Sequence, residues 1–191
     1  MDTEYLPLAP ADGDSLADFL VGGSWPFHGA PTPDRDTIRQ RVLEGHYDGA
    51  GSRTYWIVES GERVGLVRLF DLADVSDGGT PLFDLRIAPA RRGRGLGRRA
   101  LTWLTRHLFT EFPDLRRIEG TTRQDNHPMR RVLRSCGYVK EAHHREAWPG
   151  AQGQVHDAVG YAITRRDWLS GTVTPPDWDD EESSAGASGA R

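Results

Sequence analysis

The chain has a single cysteine, Cys136, among 191 residues. One thiol excludes an internal disulfide and a cysteine-rich zinc site and fits a reducing compartment; Cys136 itself reads as a small packed residue. No apolar run approaches the roughly 18 to 20 residues of a membrane-spanning helix, and Met1–Pro10 lacks the basic-then-apolar layout of a signal peptide. Internal repeats are absent. A positive surplus is absent too: the formal net charge is −4, and Asp177, Asp179, Asp180, Glu181 and Glu182 fall in the last stretch, leaving residues 1–170 near neutral. That balance argues against a nucleic-acid binder built on bulk charge. The expectation is a soluble, cytoplasmic protein with no membrane or nucleic-acid partner.

What is present is enough apolar and aromatic content to bury one sizeable core, so residues 1–170 are expected to form a single domain. Residues 171–191 include "DDEESSAGASGAR", an acidic low-complexity run too polar to bury a core and expected to be a disordered tail. "DSLADFL" predicts a helix with Ser15 as its N-cap, and "TPDRDTIRQRVLEG" predicts one from Pro33 or Asp34 to near Gly45. The loop "GGSWPFHGAP" joins them. "TYWIVES" and "RVGLVRLF", separated by a short "GE", have the composition of a β-hairpin, and "PLFDLRIAP" adds a strand. From Gly95 to Phe112 the apolar residues Leu96, Ala100, Leu101, Leu104, Leu108 and Phe112 recur at helical spacing, the pattern of an amphipathic helix. "LRRIEGTT" reads as a strand, "NHPMRRVLRSCGY" as a short helix ending at Gly137, and "HDAVGYAITRRDW" as a last strand. Strands on both sides of one long helix indicate a mixed α/β (α+β) fold with helices on the sheet faces.

The segment "RRGRGLGRRA" (residues 91–100) lies between a strand and that long helix. A helix N-terminus opened by glycines presents unpaired amides and the positive end of the helix dipole, which together favour an anion such as phosphate. Glycine allows left-handed backbone and close approach, and Arg92 or Arg94 can add charge-assisted hydrogen bonds. Gly93, Gly95 and Gly97 alternate, the position that would complete G-x-G-x-x-G is Arg98, and no G-x-x-x-x-G-K-S/T occurs, so neither a Rossmann turn nor a P-loop fits. A glycine-rich surface turn with solvated arginines would use the same residues.

The run Arg92-Gly93-Arg94-Gly95-Leu96-Gly97 follows R/Q-x-x-G-x-G/A, and here the sequence resembles the GNAT superfamily of acetyltransferases, over roughly Thr54 to Trp168. "LFDLRIAPARRGRGLGRRAL" supplies the strand and the "AP" turn that the family usually shows. "NHPMRRVLRSCGYVKEA" is similar to the family's N-x-x-S/A-x-x-x-L-x-x-x-G-F/Y segment, and with "HDAVGYAITRRDW" it resembles the branch that contains ribosomal-protein N-terminal (alanine) acetyltransferases.

The resemblance implies a mixed, mostly antiparallel sheet splayed at the acetyl-CoA site, with helices on both faces. It implies that Arg92, Gly93, Arg94, Gly95, Leu96, Gly97 and Arg98 hold the pyrophosphate of acetyl-CoA, with Asn126 near the pantetheine arm or the pyrophosphate; an N-cap role needs the same asparagine. In the family the strand before the turn, here Phe83–Ile87, splays from its neighbour, here Ile118–Thr122, and the thioester carbonyl lies near a backbone N–H, here that of Ile87.

Acetyl transfer to an amine needs a neutral nucleophile, a polarised carbonyl and a proton for the thiolate. Asp84 is the first candidate base because it interrupts an apolar strand just before the turn; a structural pair with Arg86 is the alternative. Glu119 on the neighbouring strand is the second candidate. The family's usual tyrosine and serine positions are Leu133 and Met129, so the proton donor is missing there, and Tyr138, Ser135 or water are the substitutes. Trp25, Phe27 and His28 stand where the family carries a loop that closes over the acceptor, and His28 could act as a base near neutral pH.

The expected function is transfer of acetyl from acetyl-CoA to a primary amine of a small molecule, an antibiotic or metabolite, by a monomer or homodimer. Acetylation of a protein N-terminal α-amine is the alternative, and a non-catalytic acyl-CoA-binding module is the alternative of another class. Two signals are set aside. "GDSL" at Gly13–Leu16 lacks the preceding strand and the D-x-x-H of the hydrolases that share it. His143, His144 and His156, with Glu141 and Glu146, lack metal-ligand spacing, so no metal is expected.

Overall fold

The computed structural model describes residues 2–28, 33–150 and 153–178. β1 (Thr3–Pro7), β2 (Ser52–Glu59), β3 (Glu62–Phe70) and β4 (Leu82–Ile87) form one sheet in that order, and β5 (Arg117–Arg123), β7 (Val155–Thr164) and β6 (Val139–Pro149) form a second. Every ladder within them is antiparallel. The expected hairpin is β2–β3. Its turn residues Ser60 and Gly61 both have positive φ, 50° and 79°, the left-handed pair that matches strand twist in a two-residue turn. The turn therefore lies one residue before the "GE" read from sequence.

β2 reads as a continuous apolar run because both of its faces are covered. Tyr55 and Ile57 enter one core and Trp56 and Val58 the other, the period of two that a strand imposes. On the second face lie α1 (Gly13–Gly22) and α2 (Arg35–Leu43), which pack Leu16, Ala17, Leu20, Ile38 and Val42 on Trp56, Val58 and Leu66. On the first face α3 (Leu96–Glu111) buries Leu96, Ala100, Leu101, Leu104 and Leu108 against Ile57, Val67 and Leu69 of one sheet and Ile118, Val159 and Ile163 of the other. One helix thus joins the two sheets.

Some expectations need correction. α1 starts at Gly13 with Asp12 at the cap position, not at Ser15. A 3-10 turn at Pro10–Asp12 leads into it, and the Asp12 carboxylate accepts from Ala9 N at 2.9 Å and Trp56 Nε1 at 3.2 Å, which leaves Ser15 inside the first turn. α2 starts at Arg35, just after the expected Pro33 or Asp34, with Asp34 at the cap position accepting from Thr37 N at 2.8 Å. The last strand stops at Thr164, whose hydroxyl caps α5 (Arg165–Ser170) by accepting from Asp167 N at 3.1 Å. Residues 179–191 of the expected tail lie outside the described residues. The segment leading to them is tied down, with Thr174 Oγ1 donating to Asp167 Oδ1 at 2.9 Å. Among the described residues no helix is long and apolar enough to cross a membrane.

β4 and β5 approach each other, yet no ladder joins them. They approach where the Phe83 ring lies over Gly120, at which a Cβ would sit 2.8 Å from Phe83 Cζ and 3.3 Å from Leu133 Cδ2, a residue of α4 (His127–Ser135). The site is built at this break.

Candidate active site

After β4 the chain makes a 3-10 turn at Pro89–Arg91 and enters α3. Gly93 and Gly95 take φ of 77° and 78°, a region costly for residues with a Cβ. Gly95 caps α3, and no side chain caps the helix. The amides of Gly93, Arg94 and Gly95 have no acceptor among the described residues, and those of Leu96, Gly97 and Arg98 open the helix, where no intrahelical acceptor exists. A run of unpartnered amides therefore meets the positive end of the helix dipole, which is an anion site. Gly97 serves packing as well, since a Cβ there would sit 3.3 Å from Val132 Cγ2 on α4.

The arginines of the turn divide into two groups. Arg91 pairs with Glu62, and Arg99 pairs with Glu59 and donates to Arg94 O at 3.3 Å. Arg92 donates to Ile87 O at 3.0 Å and to Ser24 O at 2.7 Å, so it anchors the turn to β4 and to the loop after α1. Arg94 and Arg98 are exposed, and their side chains have no partner among the described residues. They are the cations left free for an anion.

Ile87 faces the break. Ala88 N donates to Val64 O at 2.9 Å, and antiparallel pairs alternate between bonded and non-bonded. Gly65 and Ile87 are thus a non-bonded pair, and Ile87 turns its N–H and C=O away from β3, toward β5. Arg92 takes the carbonyl and the N–H remains.

Phe83, Leu85 and Ile87 pack into the α3 core, so Asp84 and Arg86 stand on the opposite face. The Ser24–His28 loop lies against that face. Trp25 Nε1 donates to Leu20 O at 2.8 Å, and its ring lies against the guanidinium groups of Arg86 at 5.2 Å and Arg92 at 5.4 Å. Phe27 packs at 4.8 Å from the Arg123 guanidinium on β5. His28 Nε2 meets Asp84 Oδ1 at 2.9 Å. The loop therefore reaches from β4 to β5 and spans the break.

Asp84 also accepts from Arg86 Nε at 2.8 Å. Burial works against its charge, but the His28 hydrogen bond and the Arg86 guanidinium outweigh it and hold the carboxyl below the usual carboxylate range. In the neutral form of the His28 ring, an ionised Asp84 favours the tautomer with the proton on Nε2 and the lone pair on Nδ1. That Nδ1 is buried and has no partner among the described residues. A carboxylate that orients an imidazole is a general-base arrangement.

The other candidates are elsewhere. Glu119 is drawn to Arg117 Nε at 3.0 Å and is half-exposed. Tyr138 is not brought to the break: it is 1% exposed, its hydroxyl lies 2.9 Å from Thr105 Oγ1 inside the core, and burial pushes its pKa up. Ser135 Oγ donates to Val132 O at 2.8 Å. Asn126 caps α4, accepting from Met129 N at 3.3 Å while donating to Thr122 Oγ1 at 2.9 Å. Leu133, at the family's tyrosine position, is buried against Gly120 and fills the break with hydrocarbon. Sequence reasoning treated Arg86 only as a partner for Asp84 and missed Arg68, the ladder neighbour of Asp84 on β3. The alternation Asp84, Arg86 on an otherwise apolar strand was the available signal.

A comparison with curated proteins finds no match. Solved structures share the fold at low identity. A spermidine N-acetyltransferase SpeG chimera from Vibrio cholerae and hSSAT superposes with TM-score 0.76 at 19% identity, covering 88% of this chain and 99% of that one. RimL, a ribosomal L7/L12 alpha-N-protein acetyltransferase in complex with coenzyme A, gives TM-score 0.73 at 19% identity, covering 85% and 93%. A probable acetyltransferase gives 0.74 at 22% identity, covering 87% and 94%. The family model for the acetyltransferase (GNAT) family matches residues 20–138, more than half of the chain, and the chain belongs to that family.

Proposed function

We propose that the chain transfers acetyl from acetyl-CoA to a primary amine of a small molecule. The observation that carries this is the joining, at one turn, of the unpartnered Gly93–Arg98 amides to a β4–β5 break spanned by the Ser24–His28 loop. Acetyl-CoA, when bound, supplies a thioester carbonyl open to attack by an amine.

The residues divide the work. The Gly93–Arg98 amides hold the pyrophosphate, with Arg94 and Arg98 as the free cations beside them. Ile87 N–H, turned toward the break, would donate to the carbonyl oxygen of a bound thioester and stabilise the charge that develops there. His28 takes the proton of the amine, and Asp84 is its positioning residue. Asn126 shapes the site through its cap and its bond to Thr122. No side-chain acid stands at the Leu133 position, so a departing thiolate would take its proton from water.

The spanning loop supports a covered pocket, which favours a small acceptor over a protein N-terminus. The enzyme works in the cytoplasm as a monomer or homodimer in this proposal. The test is thiol release from acetyl-CoA across small amines and N-terminal peptides. Small amines are expected to give the higher kcat/KM; a preference for peptides would support the α-amine alternative, and binding without thiol release would support a non-catalytic module.

A further inference from the structure

Around the break, acids and cations differ in what they have left to offer. Asp84 has both oxygens engaged, Oδ1 with His28 at 2.9 Å and Oδ2 with Arg86 at 2.8 Å. Asp125 gives both oxygens to Arg123, at 2.6 and 2.9 Å. Arg117 draws in Glu119 at 3.0 Å and Glu141 at 2.6 Å. Among the described residues, no carboxylate of β4 or β5 lacks a cationic partner. An acceptor with several ammonium groups needs such carboxylates.

Arg86 is the reverse case. Only its Nε is engaged, by Asp84, and neither Nη nitrogen has a hydrogen-bond partner among the described residues. Its side chain is 16% exposed, and the Trp25 ring lies against the guanidinium at 5.2 Å. A planar fork fixed on one side by a carboxylate and against one face by an indole, with its outer donors open, suits bidentate binding of a carboxylate. Arg68 adds a second positive charge beside it. It pairs with Asp84 in the β3–β4 register, Nη2 donates to His46 O at 2.8 Å, and its Nε is buried without a partner.

We infer that Arg86, backed by Arg68, is the subsite for a carboxylate carried by the acceptor, which is therefore a short amino-acid-like amine and not a polyamine. This rests on the acetyltransferase reading above. Arg86 directly precedes Ile87, whose N–H is turned toward the break, so a carboxylate held by Arg86 would lie beside the place proposed for the thioester. The cationic partners of these acids leave little free negative charge to attract a polycationic amine.

The test begins with calorimetric titration of acetyl-CoA. Thiol release is then measured with an amino carboxylate, the same-length alkylamine, an aminoalkyl phosphate and spermidine. The amino carboxylate is expected to exceed the alkylamine and spermidine by about tenfold or more in kcat/KM, the factor that one surplus charge-assisted contact supplies. In Arg86→Gln that ratio falls toward one while acetyl-CoA affinity stays within about twofold, and in Arg86→Lys, which keeps the charge without the fork, the ratio lies between. Equal or faster turnover of alkylamine or spermidine would overturn the subsite, as would a phosphate that outruns the carboxylate or an Arg86→Gln loss of equal size for every acceptor. Failure to bind acetyl-CoA would instead remove the acetyltransferase reading on which the subsite stands.

Discussion

His28 and Asp84 are 56 residues apart in sequence and 2.9 Å apart in space, and each alone is ambiguous. Asp84 held below the usual carboxylate range is a poor proton acceptor near neutral pH, so its value lies in orienting the imidazole. His28→Gln is expected to lower kcat/KM by about 10²-fold or more. Asp84→Asn keeps the imidazole and should lose about tenfold or more. Steady-state kinetics check both; an unchanged kcat/KM in His28→Gln would assign the base elsewhere.

Asp84 has a stability signature too. A carboxyl whose folded pKa is depressed contributes stability that is present above its unfolded value, about 3.9, and is lost as pH falls through the lower folded value. Urea unfolding should therefore find Asp84→Asn less stable than wild type at neutral pH, with the gap closing below about pH 4. A gap that widens toward acid would contradict the assigned shift.

At the scale of elements, the break between β4 and β5 depends on a glycine. A Cβ at Gly120 would lie 2.8 Å from Phe83 Cζ and 3.3 Å from Leu133 Cδ2, so Gly120→Val must push both residues. The expected cost is about 1–3 kcal/mol by urea unfolding, with turnover reduced more than acetyl-CoA affinity because the Gly93–Arg98 turn proposed for the pyrophosphate is untouched. Elements with strong periodicity were legible in the sequence. α3 was read as Gly95–Phe112 and spans Leu96–Glu111, because apolar spacing and a left-handed Gly95 agree on its start. β1 was not legible, since "TEYLP" is a five-residue edge strand ending in proline. Tyr138 was misjudged for a physical reason: the Gly-Tyr pair marks the end of α4, but the side chain turns inward to Thr105 on α3. The His28–Asp84 pair was out of reach because no local pattern encodes a contact between a loop and a distant strand.

At the scale of the whole molecule, α3 is the element common to both sheets, so the sheets should unfold together. Leu104→Ala, at a position with 0% exposure, is expected to cost about 2–5 kcal/mol while keeping a single transition in near-ultraviolet and far-ultraviolet circular dichroism. Two separated transitions would mean that the sheets are independent units. The same helix carries the turn proposed to hold acetyl-CoA at its N-terminus. The most direct measurement is therefore calorimetric titration of acetyl-CoA into the wild type and into Gly95→Trp, which places a side chain at φ 78° in the unpartnered amides. Micromolar-range binding by the wild type that the folded variant loses is the expected result; no binding by the wild type, or equal binding by both, would contradict the turn as the pyrophosphate cradle.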